Sequence, residues 1–178
     1  NIYKLNQKQL KKDLIILIKS FLKKNISYDH LLRIACNKNL ISISLRKRLK
    51  PNRKFYLQLL NYKRVDPHLK NLKYKKMLKQ LNKYDTNKND VALFSNNYFL
   101  ETCTSNLLFI RGNQIYSPSK NFYKGITYKY FYKKVKIKNR NILIKEIDKY
   151  SEILLIGSGK GVTSVFKIPS LNWTRKNN

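Results

Sequence analysis

Apolar side chains recur every three to four residues between positions 7 and 24, at Leu10, Leu14, Ile18, Phe21 and Leu22 with Leu17 nearby, and lysines fill much of the remainder. That spacing gathers them on one face of a helix, so the segment is predicted as a core-packed helix. Residues 31–36 and 55–62 are predicted strands, with the polar, basic stretch 46–54 as a loop between them. Met77, Leu78 and Leu81 share one face of a second helix. Four short apolar runs follow at hairpin spacing, 91–94, 98–103, 107–110 and 114–116, with Asn96-Asn97 and Arg111-Gly112-Asn113 supplying turns. A short helix over 128–133 and an apolar strand over 153–156 complete the pattern. No stretch approaches the ~20 consecutive apolar residues that spanning a bilayer requires, so no membrane association is expected.

Composition narrows this picture. A chain of 178 residues with 42% hydrophobic content can bury a real core in one large or two small domains. The formal net charge of +30 ordinarily points to nucleic acid, since lysines interleaved with Tyr and Phe bind phosphates and stack on bases. Here the lysines run along the whole length and far outnumber the arginines that base readout favours, a pattern that biased coding composition also produces. The field suits an anionic small-molecule substrate, which it would steer toward a cleft, and RNA binding is kept as the alternative. Cys36 and Cys103 show no paired spacing, and His30 and His68 stand outside any acidic or histidine cluster, so neither a disulfide framework nor a metal site is expected.

Chemistry enters with the glycines. The chain has five, and Gly125, Gly157, Gly159 and Gly161 lie in just two loops. Gly125-Ile126-Thr127 precedes the helix over 128–133, and Gly157-Ser158-Gly159-Lys160-Gly161 follows the strand over 153–156. Helix N-termini and glycine loops both offer backbone N–H groups to an anion. A lone glycine loop is more often just a turn, and this one lacks the spacing of a Walker motif. Glu101 is the only acid between positions 91 and 145. Its flanks read as the end of a half-buried strand, where a carboxylate wants a cationic partner. A surface salt bridge is the plain alternative, and such pairs contribute little.

In order, the chain reads E-T-C-T-S-N from Glu101, an apolar strand, an Arg-Gly turn, Y-S-P, G-I-T at Gly125, and L-I-G-S-G-K-G-V from Leu155. This string resembles the fold-type IV pyridoxal-phosphate enzymes, the family of class IV aminotransferases. The resemblance covers roughly residues 6–173 and implies an α+β protein, with a small N-terminal α/β domain over 1–66 and a larger β-rich, barrel-like domain with helices over 67–178. The front strands of the small domain and the H-x-x-R-L helix that carries a phosphate-binding arginine find no clear match, so the small domain is expected to be truncated. His30-Leu-Leu-Arg33 imitates that motif but fits better as a later strand.

The resemblance further implies pyridoxal 5'-phosphate as cofactor. It sets Glu101 against the ring nitrogen, and Gly125, Ile126, Thr127, Gly157, Ser158 and Gly159 around the phosphate. Thr104, Asn106 and Lys160 would meet the substrate, and a lysine would bind the cofactor aldehyde. Pro67, Leu69, Leu72 and Lys73 match the family spacing ahead of an amphipathic helix, while K-N-L-K-Y from Lys70 offers a rival register; both stay open. E-T-x-x-S-N with G-S-G-x-G-V looks most like the 4-amino-4-deoxychorismate lyases. These release pyruvate and 4-aminobenzoate, the released lysine amine serving as base and then acid. A branched-chain or D-amino-acid aminotransferase, or a relative that keeps the scaffold without catalysis, are the alternatives. The usual arginine after G-I-T is Tyr128 here. A homodimer in the cytoplasm is the family expectation, or in an organelle if a targeting segment precedes residue 1.

Overall fold

The computed structural model describes residues 7–25, 30–36, 40–48, 50–69 and 73–176. Their contacts divide the chain into two units, Asn1–Arg48 and Leu49–Asn178. In the smaller unit α1 (Gln7–Lys24) matches the helix read from periodicity. Leu10, Leu14, Ile18 and Phe21 are half-buried on it, whereas Leu17 and Leu22 stay exposed. β1 (His30–Cys36) pairs antiparallel with β2 (Ile41–Lys47), setting Ile34 opposite Ile43 and Leu32 opposite Leu45. β2 takes in the first residues of the expected loop 46–54, because the alternation Ile41, Ile43, Leu45 continues into Arg46 and Lys47.

The larger unit is built on two five-stranded sheets. β3 (Tyr56–Asn61) lies parallel to β4 (Asn89–Ser95), and the crossover between them carries α2 (Lys75–Leu81). The segment 49–66, read from sequence with the small domain, thus contributes a strand to this unit's sheet. Met77 and Leu81 are the buried face of α2, each worth about 1.5–3 kcal/mol, while Leu78 is exposed rather than sharing that face. β4 turns through Asn96-Asn97 into β5 (Tyr98–Thr102). Both asparagines take positive φ, 50° and 62°, the geometry of a tight hairpin that Asn tolerates better than other non-glycine residues.

The second sheet begins with β6 (Asn106–Arg111) and β7 (Gln114–Ser117), which turn at Gly112-Asn113. A second crossover, α3 (Ile126–Lys134), leads to β8 (Ile137–Asn139), parallel to β7. β9 (Glu152–Gly157) and β10 (Gly161–Ser164) form a hairpin with Gly157 opposite Gly161. Two-residue strands β11 (Lys167–Ile168) and β12 (Trp173–Thr174) return to the first sheet. The orders are β12-β11-β3-β4-β5 and β10-β9-β6-β7-β8. Phe55, Leu57, Ala92 and Phe99 from the first meet Leu107, Phe109, Ile153 and Leu155 from the second in one continuous core. A smaller cluster of Leu108, Ile156, Phe122 and Tyr128 seats α3 on the second sheet. This is the α+β, β-rich architecture expected, with the two crossover helices packed on sheet faces.

Candidate active site

Glu101 is the last residue but one of β5, opposite Leu93, and is only 3% exposed. Arg64 lies against it, Nε donating to Oε1 at 2.9 Å and Nη2 approaching Oε2 at 3.4 Å. The Tyr123 backbone N–H donates to Oε2 at 3.3 Å. The cationic partner that the buried carboxylate demands is thus present within the chain. Arg64 carries no local sequence signal, since it stands 37 residues before Glu101, but a planar guanidinium is the cation suited to a buried two-point contact.

Burial raises the Glu101 carboxyl from its ordinary 4.5 to about 7, against the opposing pull of Arg64 and the Tyr123 N–H. The native chain therefore holds this proton more tightly than the unfolded chain between those values. Stability contributed by Glu101 is present below about 4.5 and is lost as pH rises through about 7. In the cofactor-free protein Glu101→Gln is expected to flatten that part of the melting temperature–pH curve, and an unchanged slope would assign the titration to another group.

The turn after Glu101 brings the other landmarks together. Thr102 N–H donates to the Ser105 carbonyl at 2.9 Å, and Ser105 N–H donates to the Thr102 hydroxyl at 2.7 Å, which folds 102–105 tightly. Asn106 then bridges to the segment before α3: its Nδ2 donates to the Tyr123 carbonyl at 2.6 Å and its Oδ1 accepts the Gly125 N–H at 3.1 Å. A Cβ on Gly125 would stand 3.0 Å from that Oδ1. A Cβ on Gly157 would stand 3.0 Å from Ser105 Oγ and 3.3 Å from the Thr104 carbonyl. Both glycines are required for close approach to the same turn. Three segments remote in sequence, 101–106, 123–127 and 157–161, therefore form one site.

Gly125 caps α3, so the helix starts two residues before the expected 128. The N–H groups of its first turn have no intrahelical acceptors, and Ile126 there is 82% exposed, leaving this end open to an anion. Ser158 is exposed and Gly159 half-buried in the β9–β10 turn. Thr104 is exposed, but its hydroxyl donates to Asp90 Oδ2 at 2.5 Å. Lys160, expected on the substrate, directs its ammonium to the same Asp90 oxygen at 3.1 Å. Tyr128, at the position where the resemblance led to the expectation of an arginine, is buried, and its hydroxyl donates to Ser117 Oγ at 2.9 Å, so it serves packing.

Lys73 is exposed just ahead of α2, and Lys70 lies outside the described residues. The Cys103 thiol reaches the Met77 carbonyl at 3.7 Å and so ties α2 to the Glu101 turn. Burial, reinforced by nearby Asp90, pushes that thiol up to about 12, which suits packing rather than nucleophilic attack. His68 is exposed. Among the described residues no three His, Cys, Asp or Glu side chains gather as a metal site, and no helix is long and apolar enough to cross a membrane.

Comparison with known proteins gives the family and the fold. Residues 3–168 match the amino-transferase class IV family. No match was found among curated protein sequences. Among solved structures, a Legionella pneumophila protein assigned as a 4-amino-4-deoxychorismate lyase superposes with a TM-score of 0.74 at 17% identity, over 98% of this chain and 74% of that one. The branched-chain amino acid aminotransferase of Escherichia coli superposes with a TM-score of 0.71 at 12% identity, over 94% and 65% of the two chains. An aminotransferase from Brucella abortus bound to pyridoxal phosphate gives 0.61 at 17% identity, over 72% and 51%. At these identities the likenesses show the fold.

Proposed function

Since the chain belongs to the class IV aminotransferases, a family of pyridoxal-phosphate-dependent enzymes, we propose that it acts within that family as a 4-amino-4-deoxychorismate lyase, releasing 4-aminobenzoate and pyruvate. The observation that carries this is the convergence of E-T-C-T-S-N, G-I-T and G-S-G-K-G-V on one turn, since these are the segments whose wording favours the lyase branch.

The residues present fit the cofactor. A buried carboxylate, an open helix N-terminus, a glycine turn and an exposed lysine supply the donor set that a protonated pyridine ring, a phosphate and an aldehyde each need. When bound, the cofactor would supply an aldehyde for the substrate amine and a sink for the electron pair left when the carbon bearing that amine loses its proton, a pair that returns to the ring as the enol of pyruvate departs with its own oxygen. Glu101 would hold the proton at the ring nitrogen, and the arriving cation would tip its carboxyl, poised at about 7, toward the ionised form. The N–H groups of Ile126, Thr127, Ser158 and Gly159 would bind the phosphate, with Asn106 fixing Gly125 in front of them. Lys73, or Lys70 in the other register, would take a proton from the substrate and return it. Thr104, exposed in the turn after Glu101, would be the side chain of that turn nearest to an arriving substrate, while Asn106 is buried and committed to the Tyr123 carbonyl and the Gly125 N–H.

A lyase restores its cofactor in every cycle, whereas an aminotransferase must pass an amino group to a keto acid and shows ping-pong behaviour. The full-length protein with aminodeoxychorismate alone is therefore expected to release pyruvate and a fluorescent aromatic amine. Product formed only from a branched-chain or D-amino acid with an added keto acid would assign it to the aminotransferase branch. No turnover with either, together with steeply salt-dependent RNA binding, would move the function to nucleic acid.

A further inference from the structure

Asp90 is fully buried at the start of β4, and its Oδ2 contacts lead to two parts of the candidate site. Its Oδ1 accepts the Val91 N–H at 2.8 Å. Its Oδ2 accepts the Thr102 hydroxyl at 2.9 Å, the Thr104 hydroxyl at 2.5 Å and the Lys160 ammonium at 3.1 Å. The Lys160 side chain is 6% exposed, and its Nζ stands 4.9 Å above the Phe55 ring. One carboxylate therefore grips both the turn that follows Glu101 and the turn between β9 and β10.

We infer that Asp90 and Lys160 are positioning residues for the cofactor phosphate: the buried pair clamps the Ser158–Gly159 turn onto the Glu101 turn, so that its N–H groups are fixed before the phosphate arrives. This rests on the phosphate-binding reading of 157–159 given above. Lys160 stands in a run with three glycines, one of them Gly161 at φ +71°, and such backbone pays heavily in entropy to hold a single shape. Shape complementarity alone does not call for the ion pair, because well-packed apolar residues fill such a volume as well or better than buried charges. A buried ammonium with a carboxylate at 3.1 Å is committed to that partner, so Lys160 acts through Asp90 rather than on the phosphate itself.

The test compares pyridoxal phosphate with pyridoxal, which lacks the phosphate, as ligands of the full-length protein. The apolar double variant Asp90→Leu/Lys160→Met removes both charges together and so leaves no uncompensated ion. It is expected to bind pyridoxal as the parent does and to lose roughly tenfold or more of the preference for the phosphorylated form, the scale of one displaced hydrogen bond to a charged group. Amide exchange over 157–161 in the cofactor-free chain should rise in parallel, a readout independent of turnover. Lys160→Arg, which keeps the charge and donors, should retain the preference. Should the double variant not fold, Asp90→Asn/Lys160→Met, which also removes both charges together but leaves an amide oxygen for the Thr102 and Thr104 hydroxyls, carries the same comparison.

A double variant that keeps the preference, or that loses both ligands equally, would reduce the pair to a structural role and overturn the proposal. Asp90→Asn that strengthens phosphate binding would overturn it differently, by showing Lys160 to be a direct ligand once released. A parent protein that binds pyridoxal but shows no preference for its phosphate would sink this inference alone. A parent that binds neither would remove the cofactor reading along with it.

Discussion

Borohydride reduction of the yellow holoenzyme is expected to fix the pyridoxyl group on Lys73, and Lys73→Ala is expected to abolish both the colour and the turnover. Acid–base work by one positioned side chain contributes roughly 10²–10⁴-fold, and loss of the covalent anchor adds to that. The structural ground lies in α2. Met77 and Leu81 seat the helix in the core, and the Met77 carbonyl accepts the Cys103 thiol at 3.7 Å, which holds the start of α2 beside the strand end that carries Glu101. Lys73 is exposed just ahead of that helix. Peptide mapping after reduction decides the register. A label on Lys70 would move the role three residues toward the N-terminus, and no label on either lysine would remove the enzyme reading.

What the sequence made legible and what it hid divide along physical lines. α1 and the strands β4 to β7 were readable because each has enough residues for its period to show, and because Asn96-Asn97 and Gly112-Asn113 mark the turns chemically. β11 and β12, with two residues each, have no period to display. β2 does alternate through Ile41, Ile43 and Leu45, but its basic end resembles a solvated loop. Leu78 shows the limit of the helical pattern: it stands beside Met77 in sequence, yet a seven-residue helix buried through Met77 and Leu81 leaves it exposed.

The site divides in the same way. Gly125 and Gly157 were conspicuous because the chain has so few glycines, and their common purpose, close approach to 104–106, emerges only in three dimensions. Arg64 and Asp90 are ordinary charges in the sequence. Each becomes significant through a partner 37 or 70 residues away, and no local spacing encodes such a contact. Lys160 is the instructive case. A lysine in a glycine loop looks like a free cation aimed at an anionic ligand, but the long stem that lets a lysine reach solvent also lets it reach a buried carboxylate.

Glu101→Gln is expected to lower turnover by roughly 10²–10³-fold, the scale for removing one preorganised electrostatic stabiliser, while cofactor binding survives. Gln keeps the shape and an oxygen able to accept the Tyr123 N–H, but it cannot hold a positive ring nitrogen. It also leaves Arg64, whose side chain is 10% exposed, without a counter-charge above about 7, where the carboxyl of the parent protein ionises. Two effects are therefore superimposed, and Arg64 separates them. Arg64→Leu in the Gln variant removes the stranded cation, so the double variant should regain melting temperature without regaining turnover. If turnover returned with stability, Glu101 would be a structural partner of Arg64 and no more. If Glu101→Gln alone left turnover unchanged, the carboxylate would have no part in the chemistry.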